Sequence, residues 1–411
     1  MNQPKVPDSI SLPDSWRNKP FLLVAVGAVL IVGGLGLCFL GTGTSESGAG
    51  IKYFFHSYLA NFIYALSFGL GATFFVLIQF LCRAGWSASI RRMAELISTT
   101  IPWMAVLFIP ILVLVFAQSP ALYEWNRPVS ELHGLTALKG DYLNAPFFAA
   151  RSVFYFVCWI LMATWFYRTS RKQDDTGDVG LTTMLQKWSG PMVMAYALTV
   201  SFAAFDWVMS IDSDWYSTIF GVYIFAAGMY GFFALMICLF LALQSHGKLR
   251  DNVSVEHFHD MGKFLFGFTM FWAYIAFSQM MLYWYGNIPE ETAWYRQRLQ
   301  GGWEYLSYAL IIIHFVLPWL GTVSRHVRRH RSGLLFWACW GLVAHWLDMT
   351  YLVLPNAGPA NGIVLLAHLL TGLGMSAIFL AFLLIRASDV PLVAIRDPRL
   401  HEAMSYTNPI L

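Results

Sequence analysis

The sequence predicts an all-α polytopic membrane protein of ten transmembrane helices, arranged as two four-helix bundles with two flanking helices. Three observations predict it. Of the 411 residues, 57% are hydrophobic and only 12% charged, against about 25% charged in soluble proteins. Apolar runs of about 20 residues, the length that crosses a bilayer as a helix, recur along the whole chain. Lys and Arg gather in alternate loops, as membrane topology requires. Length alone suggests two or three soluble domains, but recurring spans override that reading. A β-barrel would show alternating strands of about ten residues, and these runs are longer and uniformly apolar.

Residues 1–20 form a polar lead containing prolines, ahead of a first span at 21–41. That run is too long for a signal peptide, and "GTGTSESGAG" after it offers no cleavage site. Spans at 56–82, 94–117, 147–167 and 188–210 make a first bundle, 56–210. Spans at 216–244, 258–285, 303–322 and 332–354 make a second, 216–354. A last span at 360–386 flanks them, and 387–411 is a tail.

Orientation follows from the cations. Lys5, Arg17, Lys19, Arg83, Arg91, Arg92, Arg168, Arg171, Lys172, Lys187, Lys248, Arg250, Arg325, Arg328, Arg329, Arg331, Arg386, Arg396 and Arg399 fall on one side. These are 19 of the 26 basic residues. Lys52, Arg127, Lys139, Arg151, Arg296 and Arg298 fall on the other. Positive-inside bias then places both termini in the cytoplasm. The five cysteines (Cys38, Cys82, Cys158, Cys238, Cys339) lie within spans in no C-x-x-C pattern. That argues against an Fe–S cluster, a c-type haem or a disulfide framework in this chain, and no other cofactor is expected in it.

An internal repeat is suggested. "MAELISTTIPWMA" (93–105) lies on "MGKFLFGFTMFWA" (261–273), pairing Glu95 with Lys263. "FDWVMSID" (205–212) and "HWLDMTYLVLP" (345–355) both carry Asp beside Trp near a span exit, pairing Asp206 with Asp348. Parallel repeats of this kind occur in membrane folds.

Ionisable groups inside spans cost roughly 2.5–3.5 kcal/mol at a helix centre, so each should face protein or water. Asp206 and Asp348 lie about 7 and 9 Å from the outer ends of their helices. His345 sits at i−3 from Asp348, hence on its face. His368 lies at a similar depth, and His314 near the middle of its span. Asp348, His345, His368 and His314 are expected to meet in the outer half of the second unit, as a proton relay or as a hydrogen-bonded packing network. Glu95 and Lys263 lie about one turn inside the inner face. They either pair at the mouth of a half-channel, or Lys263 snorkels to the headgroups. Asp206 either hands protons to the exterior or caps the turn into the sixth span.

Other features carry less. "SVEHFHD" (254–260) contains H-x-H, but those positions lie about 200° apart on a helix, poor geometry for one metal. It reads as Ser254 capping a helix with Glu256 in its first turn. Loop-edge tryptophans are interface anchors, and aromatic residues inside the bundles suit a quinone pocket.

Four stretches together resemble one family: "LYEWNRP" (122–128), "YLNAPFFAARSVFYFVCW" (142–159), "FDWVMSIDSDWYSTIFGVYIFAAGM" (205–229) and "HDMGKFLFGFTMFWAYIAFSQMMLYWYGNIPEET" (259–292). The likeness, over roughly residues 20 to 390, is to the polysulfide-reductase membrane-subunit (NrfD/PsrC-like) family, and within it to the ActF-type subunits of alternative complex III. It implies ten helices in two bundles with flanking helices, and a role in a quinol-oxidising complex of the bacterial inner membrane. It also implies partners: a sister membrane subunit, an Fe–S subunit and c-type cytochrome subunits, which carry the redox cofactors. For this subunit it implies scaffolding and a proton path rather than catalysis, with Arg151 and Asp206 as weak candidates for a quinone contact. A secondary transporter is the competing class, but its site belongs at the midplane on broken helices, and here the acidic residues lie toward helix ends. A quinone-binding anchor of a molybdopterin enzyme is a further alternative.

Overall fold

The computed structural model describes residues 7–42, 48–131 and 134–408. Lys5, half of the "GTGTSESGAG" loop (43–47) and the last three tail residues lie outside them. The described residues contain helices and turns and no β-strand. Nine helices among them are long and apolar enough to cross a membrane: α1 (Pro20–Thr42), α2 (Ala49–Leu81), α3 (Ala88–Phe116), α4 (Ala145–Thr176), α5 (Val179–Ile211), α6 (Phe220–Ser245), α7 (Val255–Gly286), α8 (Glu304–Thr322) and α10 (Gly362–Ala387). The remaining expected span, 332–354, is a 23-residue helix, α9 (Arg331–Val353). It is long enough, but Arg331, His345 and Asp348 make it less apolar than the other nine.

The centre is α2 packed on α6, both buried along most of their length. Small residues let the two backbones approach: a Cβ on Gly71 would lie 2.7 Å from Phe232 Cβ, and one on Gly228 3.3 Å from Ser67 Cβ. Between apolar helices in lipid, such close packing is a main source of association. Helices α3, α5, α9 and α10 also pack on α2, and α5, α7 and α9 on α6. On the outside, α1 lies along α10. Gly27, Gly34 and Gly41, seven residues apart, face it, and a Cβ on Gly34 would meet Thr371 Oγ1 at 2.4 Å.

Two helices are broken by proline. In α3, Pro102 supplies no N–H, and the helix interrupts at Thr99–Thr100. The hydroxyls of Ser98, Thr99 and Thr100 there donate back to the Glu95, Leu96 and Ile97 carbonyls at 2.7–2.8 Å. This helix starts at Ala88, not at 94, so Arg91 and Arg92 are helical and buried rather than loop residues. In α8, a π-helical stretch, Ile311–Val316, precedes Pro318, and Trp340 Nε1 donates to the Ile313 carbonyl (2.7 Å). Such π-turns accompany functional positions, and His314 sits in this one.

Helices α5 and α9 end alike. Val208 (φ −112°, ψ −50°) and Val353 (φ −112°, ψ −49°) each open a 3₁₀ turn. The carbonyl just before each break is taken by a residue of an earlier connection, α3–α4 in one case and α7–α8 in the other: Tyr123 Oη donates to Trp207 O (3.0 Å), Arg298 Nη2 to Leu352 O (2.7 Å). Matching the breaks gives an offset of 145 (353 − 208), not the 142 (348 − 206) that pairs the aspartates. At that offset Asp206 falls on Tyr351 and Asp348 on Ala203, so the two aspartates are not at matching distances from the breaks.

Both terminal segments lie at one end of the molecule. Leu249 N–H donates to Ser9 O and Leu392 N–H to Ile10 O, each at 2.8 Å. Arg91 pairs with Asp397, and Tyr406 Oη donates to Asp260 (2.7 Å). Ser254 caps α7 as expected, with its backbone N–H donating to His257 Nδ1 (3.1 Å).

Candidate functional site

At the end opposite the termini, Asp206 is wholly buried on α5. From α4, Arg151 donates to both of its oxygens (Nε 2.8 Å, Nη2 3.0 Å), and Tyr155 Oη donates at 2.7 Å. Arg151 also donates to Tyr142 O (2.9 Å), its guanidinium 3.8 Å from the Tyr142 ring centroid. Residues 151 and 155 are one turn apart, so one face of α4 supplies all three donors. The carboxylate thus faces α4, and its side chain does not cap the turn into α6. Trp207 Nε1 donates to Ser152 Oγ (2.9 Å) and Trp125 Nε1 to Ser210 Oγ (3.3 Å), which closes the site in aromatic rings.

The second group is divided rather than gathered. Asp348 is wholly buried and accepts from Tyr223 Oη (2.5 Å) and Trp272 Nε1 (3.0 Å), with no histidine among its partners in the described residues. Behind it, Trp272 stacks on His314 with centroids 3.7 Å apart, and Tyr230 covers the other side at 4.6 Å. His345 turns toward α2, with Nε2 2.8 Å from Ser67 Oγ. His368 does the same: its Nδ1 lies 2.9 Å from Ser57 Oγ and 3.2 Å from Asn61 Nδ2, and its Nε2 2.8 Å from Thr350 Oγ1. Both nitrogens of His314, Nδ1 of His345 and the Tyr230 hydroxyl are buried with no hydrogen-bond partner among the described residues. Such orphans are expensive.

Glu95 and Lys263 do not pair. Glu95, wholly buried, lies 3.3 Å from Arg92 Nε and 3.8 Å from Arg91 Nε; Arg92 also reaches Asp174 (2.7 Å). Lys263 is 44% exposed and bonds Asp260 one turn away at 2.5 Å.

Sequence reasoning missed two features. Arg298, read only as an outer-loop cation, is wholly buried on the short helix Pro289–Arg298. It donates to the carbonyls of Trp294 (2.9 Å), Tyr351 (3.1 Å) and Leu352 (2.7 Å), at the negative end of α9. Burial lowers its guanidinium to about 10, still cationic at neutral pH. Burial likewise raises the Asp212 carboxyl, against the opposing pull of Arg298. The Arg298 position carried no sequence signal beyond an arginine in an aromatic segment. The second feature is a cleft of about 510 Å³ between α7 and α8, closed by Tyr223, Tyr295 and Tyr351. Arg151 and Asp206 do not line this cleft; a hollow of about 370 Å³ is bordered by their neighbours Tyr142 and Ser210.

Compared with known proteins, the chain matches no family model and no curated protein.

Proposed function

We propose that this chain is the integral membrane subunit of a quinol-oxidising electron-transfer complex of the alternative complex III type, in a bacterial inner membrane. In this reading α9 is a tenth span, α2–α5 and α6–α9 are two four-helix bundles, α1 and α10 flank them, and both termini are cytoplasmic. The chain scaffolds the membrane domain and conducts protons; redox cofactors reside on Fe–S and c-type cytochrome partners beside a sister membrane subunit.

The observation that carries the reading is convergence. Three of the stretches that resemble the NrfD/PsrC-like family, separated by tens of residues, meet at one place: Tyr123 and Trp125, Arg151 and Tyr155, and Asp206, Trp207 and Ser210. The proton role rests on buried ionisable groups at both ends, Glu95 and Asp206, and on the buried His314, neither of whose ring nitrogens has a hydrogen-bond partner among the described residues. Purification from the native membrane under mild detergent tests the assignment. The expected result is co-purification with multihaem cytochrome and Fe–S subunits. A homomer that moves a solute without such partners would replace it with the transporter reading.

A further inference from the structure

We propose that the basic turn between α8 and α9 binds an anionic phospholipid, its phosphate held by Arg325, Arg328 and Arg331 and its acyl chains laid against the adjoining helix ends. The inference requires that α8 cross a bilayer with α9 packed beside it, and it holds or fails whatever complex the chain joins.

The sequence concentrates one sign of charge there. "SRHVRRHR" (324–331) holds Arg325, Arg328, Arg329 and Arg331, and no Asp or Glu occurs between Glu304 and Asp348. The turn folds as a short helix, Arg325–Arg329, docked on α7. A Cβ on Gly262 would lie 3.1 Å from Arg328 Cγ, so the glycine lets the arginine stem lie across α7.

Compensation separates this turn from other cations at the same end. Arg91, Arg92, Lys248, Lys263 and Arg399 each pair with a carboxylate of the chain. Within the turn Arg329 does so, donating to both oxygens of Glu256. Arg325, Arg328 and Arg331 meet no carboxylate among the described residues, and Arg325 and Arg331 are exposed. Arg328 is half-buried. Its Nη1 donates to Thr322 O (3.1 Å), but its Nε is buried with no hydrogen-bond partner among the described residues. Burial lowers its guanidinium, the reverse of what a carboxylate beside it would do. A cation held partly out of water with no anion of its own calls for one from outside the chain.

Place decides which anion. Helix α8 ends at Thr322 and α9 begins at Arg331, so these arginines stand where apolar helices meet the headgroups. Leu320, Val323, Leu335 and Phe336 are exposed just beyond them. Leu335 and Phe336 lie about 6–8 Å past Arg331 along the helix, at acyl-chain depth. A ligand that satisfies both sets of groups carries phosphate and acyl chains on one molecule. Guanidinium forks match phosphate oxygens with paired N–H donors, and basic clusters beside a span attract anionic lipid. A soluble phosphate would leave the apolar residues uncovered, and a choline headgroup brings a cation that the arginines repel.

The test titrates the full-length chain in neutral detergent with dioleoylphosphatidylglycerol or dioleoylphosphatidylcholine and counts bound lipid by native mass spectrometry. The parent is expected to bind phosphatidylglycerol about tenfold or more tighter. The variant Arg325→Gln/Arg328→Gln/Arg331→Gln should bring the two lipids to within about twofold of each other. The control Arg168→Gln/Lys172→Gln/Lys187→Gln removes three exposed cations elsewhere and should keep the preference. If the first variant does not fold, Arg331→Gln alone should reduce the preference about two- to fivefold. Equal binding of the two lipids by the parent, or equal losses in variant and control, overturns the proposal. Full displacement of phosphatidylglycerol by millimolar inorganic phosphate would make this a soluble-anion site and overturn the lipid. A benzophenone attached at Arg325→Cys that captures protein rather than lipid in native membranes would assign the turn to a partner and overturn it as well.

Discussion

Removing Arg151 should be among the most damaging single changes on the far side of the molecule, and more damaging than removing the charge it serves. Asp206 is wholly buried, and two of its three donors come from Arg151. The Arg151 side chain is 10% exposed, at the rim. Arg151→Met leaves a buried carboxylate with only Tyr155 as donor, a loss of about 3–5 kcal/mol for a broken buried pair. A surface pair would lose only about 0–1 kcal/mol. Asp206→Asn leaves the cation near solvent and keeps an acceptor for Tyr155, so its cost should be about 1–3 kcal/mol. The double variant Arg151→Met/Asp206→Leu leaves no lone charge and should lie within about 2 kcal/mol of the parent. Unfolding in mixed micelles gives all four corners of the cycle. A loss below about 1 kcal/mol for Arg151→Met, or additive single effects, would refute the claim that this pair is buried and coupled.

Other expectations are independent of that cycle. In the reconstituted complex, Glu95→Gln and Asp206→Asn should lower protons released per electron more than they lower quinol oxidation. Lys263→Met, which removes a half-exposed ammonium, should leave the ratio unchanged; parental ratios in all three variants would remove these residues from the path. Gly34→Leu drives a side chain into Thr371 and the Ala367 carbonyl. It should cost about 1–3 kcal/mol or more, read as lost cysteine cross-linking between α1 and α10. Arg298→Lys should lower stability by about 2–3 kcal/mol, because an ammonium cannot reproduce a planar fork on carbonyls of two segments. A thermal midpoint equal to the parent's would contradict that account.

What the sequence by itself determined was the class and its elements. Long apolar runs insert as helices, so nine spanning helices and their approximate limits were legible, and α9 was legible as a helix despite its polar residues. That Asp206, Asp348, His314, His345 and His368 would turn away from lipid was legible too, because a polar group inside such a run has to face protein or water; that all five are wholly buried was not. Partners were not. His345 and Asp348 share a helix face, yet one meets Ser67 on α2 and the other Tyr223 and Trp272 on α6 and α7. Helical spacing fixes direction around one axis and leaves open which neighbour stands there. A repeat register was not legible for a related reason: the two paired stretches gave different offsets, 168 (261 − 93) and 142 (348 − 206), whereas the backbone breaks at Val208 and Val353 lie 145 apart. Arg91, Arg92 and Arg298 looked like loop cations because charge normally marks solvent. Only tertiary structure brought them carboxylates and carbonyls from distant segments, and that pairing alone makes a buried guanidinium tolerable.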